Sequence, residues 1–218
     1  MNITSLTAAA GVFILSAAPA LAAESSGYYA GIYAGYGWTH DSELRIEGYP
    51  PGTLLFEPGY RIGGVAGYDF AGPVRVELDF AWRKSGIDGL EAPIIGRIAA
   101  TGEMTALSGI VSILYEPAVE GRLRPHIGAG LGAVRLTLAD AVADLPDIGP
   151  TPVADDSVIV PAWQILGGIA WPLSDRMDLT AEYRLLGAIG PQFAGGDSGK
   201  VEAEYVDSML SIGLRMGF

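Results

Sequence analysis

The stretch VRVELDFAWR, residues 74–83, alternates apolar and polar side chains with a period of two. Its apolar positions are Val74, Val76, Leu78, Phe80 and Trp82, and the positions between them are Arg75, Glu77, Asp79, Ala81 and Arg83. Successive side chains of a β-strand point to opposite faces. The pattern therefore predicts a strand with one wholly apolar face and one face that is mostly charged.

Seven other segments repeat this alternation more softly, which gives eight predicted strands. The eight segments are residues 28–38, 59–70, 74–83, 104–115, 123–136, 158–171, 177–186 and 201–218. The connections between them alternate strictly between long and short. The long ones are 39–58, 84–103, 137–157 and 187–199, and the short ones are 71–73, 116–122 and 172–176. All long connections must therefore emerge at the same end of the sheet.

Strand period alone does not say which face is inside. A soluble, lipocalin-like barrel would hide its apolar face, whereas a membrane barrel turns that face outward. Short turns at one end and long loops at the other are typical of outer-membrane barrels. We therefore predict an all-β fold, a closed, eight-stranded, antiparallel, up-and-down transmembrane β-barrel.

Strand parity then assigns the side chains to the lumen or to the lipid. A lumen charge network is predicted from Arg61, Asp69, Arg75, Glu77, Asp79, Arg83, Asp178, Glu182, Arg184 and Arg215, with Asp207 as a possible further acid. An aromatic girdle facing lipid is predicted from Tyr28, Trp38, Tyr60, Tyr68, Trp82, Tyr115, Trp163 and Trp171. On this assignment arginine at Leu78 should be costly, and arginine at Ala81, on the charged face, should cost less.

Composition agrees with an exported membrane barrel. Residues 1–22 lack charged side chains, contain a short apolar core and end in Ala20-Leu21-Ala22, which predicts a signal peptide cleaved before Ala23. Residues 23–218 would then form a single barrel domain. The net charge of −12, most of it on the long connections, argues against nucleic-acid binding. The chain has no cysteine, so disulfides and thiolate metal sites are excluded.

The chain resembles the OmpA-like, or opacity-type, eight-stranded outer-membrane barrels of Gram-negative bacteria, a porin-like family of surface proteins. The matching segments are 29–31, 67–70, 75–80, 125–132, 182–184 and 213–218, in which PHIGAGLG (125–132) is similar to a family strand motif. The resemblance implies that the terminal aromatic Phe218 serves as the signal for the barrel-assembly machinery. His126 stands where the family has an aromatic residue. No peptidoglycan-binding domain follows Phe218 in this sequence, so periplasmic tethering is not implied.

No catalytic, metal or cofactor residues are predicted. His126 faces the lumen near the periplasmic end and shares its face with no nearby serine, whereas lipid A lies in the outer leaflet. His40, Asp41 and Ser42 have triad residue types, but neighbours in an extended chain point apart. The acids of the third long connection are Asp140, Asp144, Asp147, Asp155 and Asp156, and they lack the calcium-loop spacing. They are interpreted as a solvated acidic loop.

These observations predict a non-enzymatic, monomeric structural protein and surface antigen of the outer membrane. Its expected partners are outer-membrane lipids, lipopolysaccharide, the barrel-assembly machinery and surface ligands of its loops. The alternatives are a narrow porin-like channel for small solutes, a lipid A-modifying enzyme, and a soluble periplasmic ligand-binding barrel.

Overall fold

The computed structural model describes residues 27–46, 52–92, 96–145, 149–194 and 200–218, so the predicted signal peptide lies outside the described residues. In chain order the strands are β1 (Gly27–Thr39), β2 (Ser42–Ile46), β3 (Gly52–Phe56), β4 (Gly59–Asp69), β5 (Val74–Ala92), β6 (Gly96–Ile98), β7 (Ala100–Tyr115), β8 (Arg124–Leu145), β9 (Gly149–Ser174), β10 (Met177–Ala188), β11 (Gln192–Ala194), β12 (Lys200–Ala203) and β13 (Tyr205–Gly217). The described part of the chain holds no helical segment with the length and hydropathy of a membrane span.

Eight of these strands form a closed antiparallel ring, in the order β1, β4, β5, β7, β8, β9, β10 and β13. The ring closes where β13 pairs with β1, with Tyr29 opposite Gly217 and Thr39 opposite Asp207. Closure leaves no unpaired strand edge within the apolar layer of a membrane. The predicted eight-stranded up-and-down barrel is therefore confirmed.

Within the described residues, much of the long connections is β-structure, so their prediction as irregular loops was wrong there. Strand β5 continues to Ala92, and β8 and β9 continue as a hairpin with Leu145 opposite Gly149. Strands β11, β12, β2, β3, the outer end of β5, and β6 form an outer sheet beyond the ring. Continued cross-strand pairing satisfies backbone hydrogen bonds outside the membrane as well as inside it, so the strands do not stop where the apolar alternation weakens.

The last predicted strand, 201–218, is in fact two elements. Strand β12 pairs with β2 and β11 in the outer sheet, whereas β13 pairs with β1 and β10 in the barrel. The apolar side chains stand at odd positions in residues 201–205 and mainly at even positions in residues 206–218. The alternation therefore reverses its phase near the point where the strand changes partner, and the prediction of one continuous strand overlooked this reversal.

Side chains alternate between lumen and lipid as the period of two predicts. Leu78, Ile32 and Ile212 are exposed on the outer surface, and Ile32 and Ile212 are 71% and 65% exposed. Arg75, Glu77 and Asp79 are buried on the lumen side of β5. The apolar surface thus faces outward, which is opposite to the arrangement of a soluble ligand-binding barrel.

The predicted girdle residues all lie on this outward face. Tyr28, Trp38, Tyr60, Trp82, Tyr115 and Trp171 are exposed, and Tyr68 and Trp163 are half-buried. Tyr68 makes edge contacts with Tyr28 and Phe70, with ring centroids 4.9 and 5.0 Å away. Along β1, the ten residue-to-residue steps from Tyr28 to Trp38 span about 33 Å, or about 25 Å in height for a strand tilted by roughly 40°. That height matches the apolar band of an outer-membrane barrel.

The interior has two chemically distinct parts. One part, which we call the charged interior, is filled by charged side chains and two tyrosines and runs from the short turns to Asp207, opposite Thr39; its members are given below. The other part is an apolar cap, which begins beside the charged residues, with Leu186 opposite Asp207 and Ala106 opposite Arg83, and continues toward the outer sheet. The cap is composed of Ile87, Met104, Ala106, Ile110, Val134, Leu136, Leu138, Ala141, Val160, Ala162, Leu186 and Tyr205. Leu54 and Phe56 of β3 pack against the cap from the outer sheet.

Candidate functional site

The side chains of the charged interior project into the lumen from strands on both sides of the barrel. Strands β5 and β10 lie on opposite sides of the eight-strand ring, so long side chains from both can meet at its centre. Glycines on β4 leave space in the lumen for the rings of Tyr33 and Tyr29. A Cβ on Gly63 would lie 2.4 Å from Cζ of Tyr33, and one on Gly67 would lie 2.3 Å from Cζ of Tyr29.

Arg184 is the centre of the middle cluster. Its guanidinium bonds to Glu182 on its own strand, with Nε 3.0 Å from Oε2, and to Asp79 on β5 across the lumen. Its Nη2 also lies 3.4 Å from Oε1 of Glu77. The guanidinium stacks over Tyr33, 4.5 Å from the ring centre, and the Tyr33 hydroxyl donates to Asp79 at 2.8 Å. One arginine therefore bridges the two walls of the barrel.

A second cluster lies at the inner mouth, near the short turns. Arg215 forms a two-bonded pair with Asp178, at 3.0 Å from Nε and 2.8 Å from Nη2. Arg124 also pairs with Asp178, and Arg75 pairs with Glu116. Arg124 and Arg215 approach Glu116 at 3.7 and 3.6 Å, so the pairs form one network.

A third cluster lies on the outer side of the middle one. Asp207 of β13 accepts from Nε of Arg61 at 3.0 Å, and its carboxylate lies 3.3 Å from Nε of Arg83. Arg61 also donates to Ser85 at 3.0 Å, and Arg83 donates to Ser108 at 2.6 Å. These arginines are at most 1% exposed, so their charges depend on these contacts and not on water.

The structure places nine of the ten predicted lumen residues in these three clusters. The tenth, Asp69, lines the inner mouth beside Arg124 and Arg215, and its Oδ1 has no hydrogen-bond partner among the described residues. Asp69 and Asp178 lie at the inner mouth and are half-buried, whereas the others are buried. The clusters also contain Asp207, Glu116, Arg124 and His126, none of which belonged to the predicted network proper. The strand alternation in the sequence had already placed Asp207 and His126 on the lumen side. Glu116 follows the end of β7, and its position inside the mouth depends on the fold of the turn.

The two histidines have different partners. His126 is buried in the lumen, and its Nε2 lies 2.8 Å from Oε1 of Glu182, which places it in the middle cluster. His40 follows β1 at the outer end, and its Nε2 lies 2.7 Å from Oγ of Ser208. Sequence reasoning considered His40 only with its neighbours Asp41 and Ser42 and missed Ser208, 168 positions away.

Some buried polar atoms of the lumen have no partner among the described protein atoms. They include Oδ1 of Asp79, Oγ of Ser112, Nδ1 of His126 and both amide atoms of Gln164. Ser112 and Gln164 flank Gly130 in register. A cavity of about 10 Å³ lies beside Glu77, Glu182 and Arg184. A much larger one, of about 650 Å³, opens at the inner mouth beside Asp69, Arg124 and Arg215.

The acidic residues of the third long connection are described only in part. Asp140 is exposed at a shift in the register of β8 between Leu138 and Ala141, with a positive φ of 51°. Asp156 is half-buried, and its Oδ1 accepts from the amide of Ser157 at 2.7 Å. Asp147 lies outside the described residues, as do the side chains of Asp144 and Asp155. Within the described ranges no group of three His, Asp or Glu side chains could hold a metal ion.

Comparison with known proteins agrees with this architecture. A family model described as "Outer membrane protein beta-barrel domain" matches residues 7–218. Among solved structures, the chain is similar to outer membrane protein OprG from Pseudomonas aeruginosa, with 13% identity, a TM-score of 0.58, and coverage of 87% of this chain and 96% of that one. No curated protein matches the chain.

Two other solved structures share the fold at low identity. Neisserial surface protein A is 19% identical, with a TM-score of 0.52 and coverage of 89% of this chain and 100% of that one. The outer membrane protease OmpT from Escherichia coli is 9% identical, with a TM-score of 0.52 and coverage of 88% of this chain and 97% of that one. At these identities the likeness concerns the fold alone.

Proposed function

We propose that this chain, which belongs to the outer membrane protein β-barrel domain family, is a sealed, non-enzymatic structural barrel that presents an acidic sheet at the cell surface. The observation that carries the proposal is the bridge from Arg184 on β10 to Asp79 and Glu77 on β5. An eight-stranded barrel is only wide enough for side chains to fill. A guanidinium that reaches the opposite wall therefore occupies the path that a solute would take.

The apolar cap supports the same proposal as a second barrier, because it extends outward beyond the charged clusters, from Ala106, opposite Arg83, to Leu138 and Ala141. Leu136, Ile110 and Val134 are fully buried, and Leu54 and Phe56 pack against the cap from the outer sheet. An ion that passed the charged interior would then lose its hydration in an apolar layer, which is strongly unfavourable. A conducting path would require both the charged interior and the apolar cap to rearrange at the same time.

The outer sheet supports the surface role. Exposed carboxylates in this sheet or next to it include Asp88, Glu57, Glu103 and Glu204. Asp88 pairs with Arg97 at 2.7 Å and Glu103 with Lys84 at 2.6 Å, so ion pairs neutralise only part of this charge. Such a surface would repel polyanions and attract cationic ligands of host or neighbouring cells. Antigenicity and ligand binding by this sheet are parts of the proposal.

Planar bilayer recording tests the seal. Wild-type protein should give no large, persistent openings, and neither should Arg184→Ala or Leu136→Ala alone, because each leaves one barrier intact. The double variant Arg184→Ala with Leu136→Ala should conduct more often than either single one. Regular openings of the wild-type protein would refute the sealed barrel.

A narrow pore is the second candidate, and the unpartnered polar atoms of the lumen favour it. Ser112 and Gln164 are buried with hydrogen-bonding groups that water could satisfy. If the wild-type protein conducts, Gln164→Leu should reduce the current, whereas Leu131→Ala, on the lipid face of β8, should leave it unchanged.

The enzymatic alternative is disfavoured by the position of the histidines. His126 is bound to Glu182 inside the lumen, and Ser208, the partner of His40, is fully buried. Mass spectrometry of lipid A from cells with and without the protein should show identical spectra. A mass difference that depends on Ser208 would overturn the non-enzymatic assignment.

A further inference from the structure

A groove runs across the lipid-facing surface of β4, β1, β13 and β10. Its volume is about 520 Å³, and the outward side chains that line it are Ile32, Ala34, Ile62, Leu179, Ile212 and Leu214. Ala34 pairs in register with Ile62 on one side and Ile212 on the other. Because a methyl group stands between two larger side chains, the surface is indented at this position.

The groove lies near the middle of the apolar band. Ala34 is four residues from Trp38 of the outer aromatic belt, about 13 Å along the strand. Tyr28, of the inner belt, is six residues away in the other direction, or about 20 Å. In the outer membrane the groove is therefore reached by hydrocarbon and not by water.

A polar cluster lies at the outer end of the same face. Ser208 has the outward parity of Leu210 and Ile212 but is fully buried, and it is the register partner of Trp38. Its Oγ lies 2.7 Å from Nε2 of His40 and 2.9 Å from the Tyr183 hydroxyl. His40 is exposed. Tyrosine and histidine at this height offer hydrogen bonds where the apolar band ends.

We propose that the groove holds an acyl chain of an outer-leaflet lipid, whose head lies against the exposed side chains of His40 and Tyr183, which the buried Ser208 holds together. Four residues of strand separate Ser208 from Ile212, which is about 13 Å and within reach of a single acyl chain. The face thus has polar groups at head height and an apolar indentation at tail height, as an amphiphile requires.

A second copy of the chain fits the groove less well. A stable protein interface takes roughly 20–30 residues from each partner, whereas six side chains line this indentation. A narrow apolar groove suits a flexible linear chain better than a second barrel wall.

The test uses the purified protein in detergent, titrated with lipid A and, separately, with dipalmitoyl phosphatidylethanolamine, with bound lipid counted by native mass spectrometry. Ala34→Phe fills the groove. Ala129→Phe is its matched control, because Ala129 is exposed on the lipid face of β8, across the ring from β1. Heat-modifiable gel mobility shows that each variant is folded.

We expect Ala34→Phe to weaken lipid A binding by about tenfold, and Ala129→Phe to bind like the wild type. Tyr183→Phe, which removes only the hydroxyl, should lower binding of lipid A more than that of the phosphatidylethanolamine. Equal binding by Ala34→Phe and Ala129→Phe, or no retained lipid on the wild type, would overturn the site. Unchanged lipid A binding by Tyr183→Phe would overturn the placement of the head. A wild-type dimer that Ala34→Phe converts to a monomer would assign the groove to a second copy instead.

Discussion

The charged interior and the apolar cap fill the same barrel by opposite means. In the charged interior each guanidinium pairs with at least one carboxylate; Arg61 and Arg83 share Asp207, and Arg184 contacts Glu77, Asp79 and Glu182. In the cap, residues such as Leu136 and Ile110 exclude water by packing alone. The difference shows that filling a narrow barrel does not require one chemistry. It does require that every buried charge meets a partner.

The largest expected loss of stability comes from removing an arginine of the charged interior, which leaves its buried carboxylates without a cation. Arg184→Ala should cost about 3–5 kcal/mol of unfolding free energy, because Glu77, Asp79 and Glu182 would stay buried without their cation. Urea unfolding in lipid vesicles measures this. Arg97→Ala is the control, since the Arg97–Asp88 pair is about half exposed, at 59% and 48%, and such pairs contribute at most about 1 kcal/mol. Similar losses in the two variants would mean that the lumen is well hydrated.

The apolar cap should respond to lost volume. Leu136→Ala should cost about 2–5 kcal/mol through lost contacts and the cavity left behind. Leu131 lies on the same strand but is 70% exposed to lipid, and there neighbouring acyl chains can fill the space. Leu131→Ala should therefore cost clearly less in the same unfolding assay. If both variants lose the same free energy, the cap is not a packed core.

The lipid face should be sensitive to charge in a depth-dependent way. Leu78→Arg, near the middle of β5, should cost about 2–4 kcal/mol, and Val74→Arg, near the inner interface, about 0–1 kcal/mol. Refolding of the two variants into lipid vesicles measures both costs, and because the two positions lie on the same face of β5, they differ mainly in depth. Equal costs at the two depths would contradict the assigned membrane position.

The smallest expected effect on stability is at the carboxyl terminus. The amide of Phe218 donates to the carbonyl of Tyr28 at 2.9 Å, but the side chain is 73% exposed. Deleting Phe218 should change the unfolding free energy by only about 1 kcal/mol, yet it should lower the amount of protein in the outer membrane of cells. Phe218→Trp, which keeps an aromatic end, should assemble normally. Wild-type levels of the truncated protein would refute the role as an assembly signal.

The packing inside the barrel also changes what is expected of arginine at Ala81, which strand alternation had placed on the charged face. Ala81 lies on the charged face of β5, as predicted, but it is 2% exposed and clusters with Tyr33 and Met209. Arginine at this position would be forced into a filled lumen, and overpacking is itself destabilising. Ala81 is therefore not the tolerant site that its face indicated.

The sequence by itself determined the barrel, its eight strands and the facing of their side chains. A period of two is a local property, and it puts residue 78 on the face opposite residues 77 and 79. The alternation of long and short connections, which is typical of outer-membrane barrels, then indicated that the apolar face is the outer one. It also placed the long connections at one end, since strands that alternate in direction must return there. For the same reason parity assigned Arg75, Glu77, Arg184 and Arg215 to the lumen before their partners were known.

Only the tertiary structure decided which of these residues meet. The contacts between Arg184 and Asp79, between Arg61 and Asp207, and between His40 and Ser208 join positions 105 to 168 residues apart. They depend on the closure and stagger of the ring, which no local pattern encodes. The outer sheet was missed for a related reason. Its short strands pair only because the barrel holds their flanking segments side by side, so their pairing is a consequence of the fold and not of their own sequence.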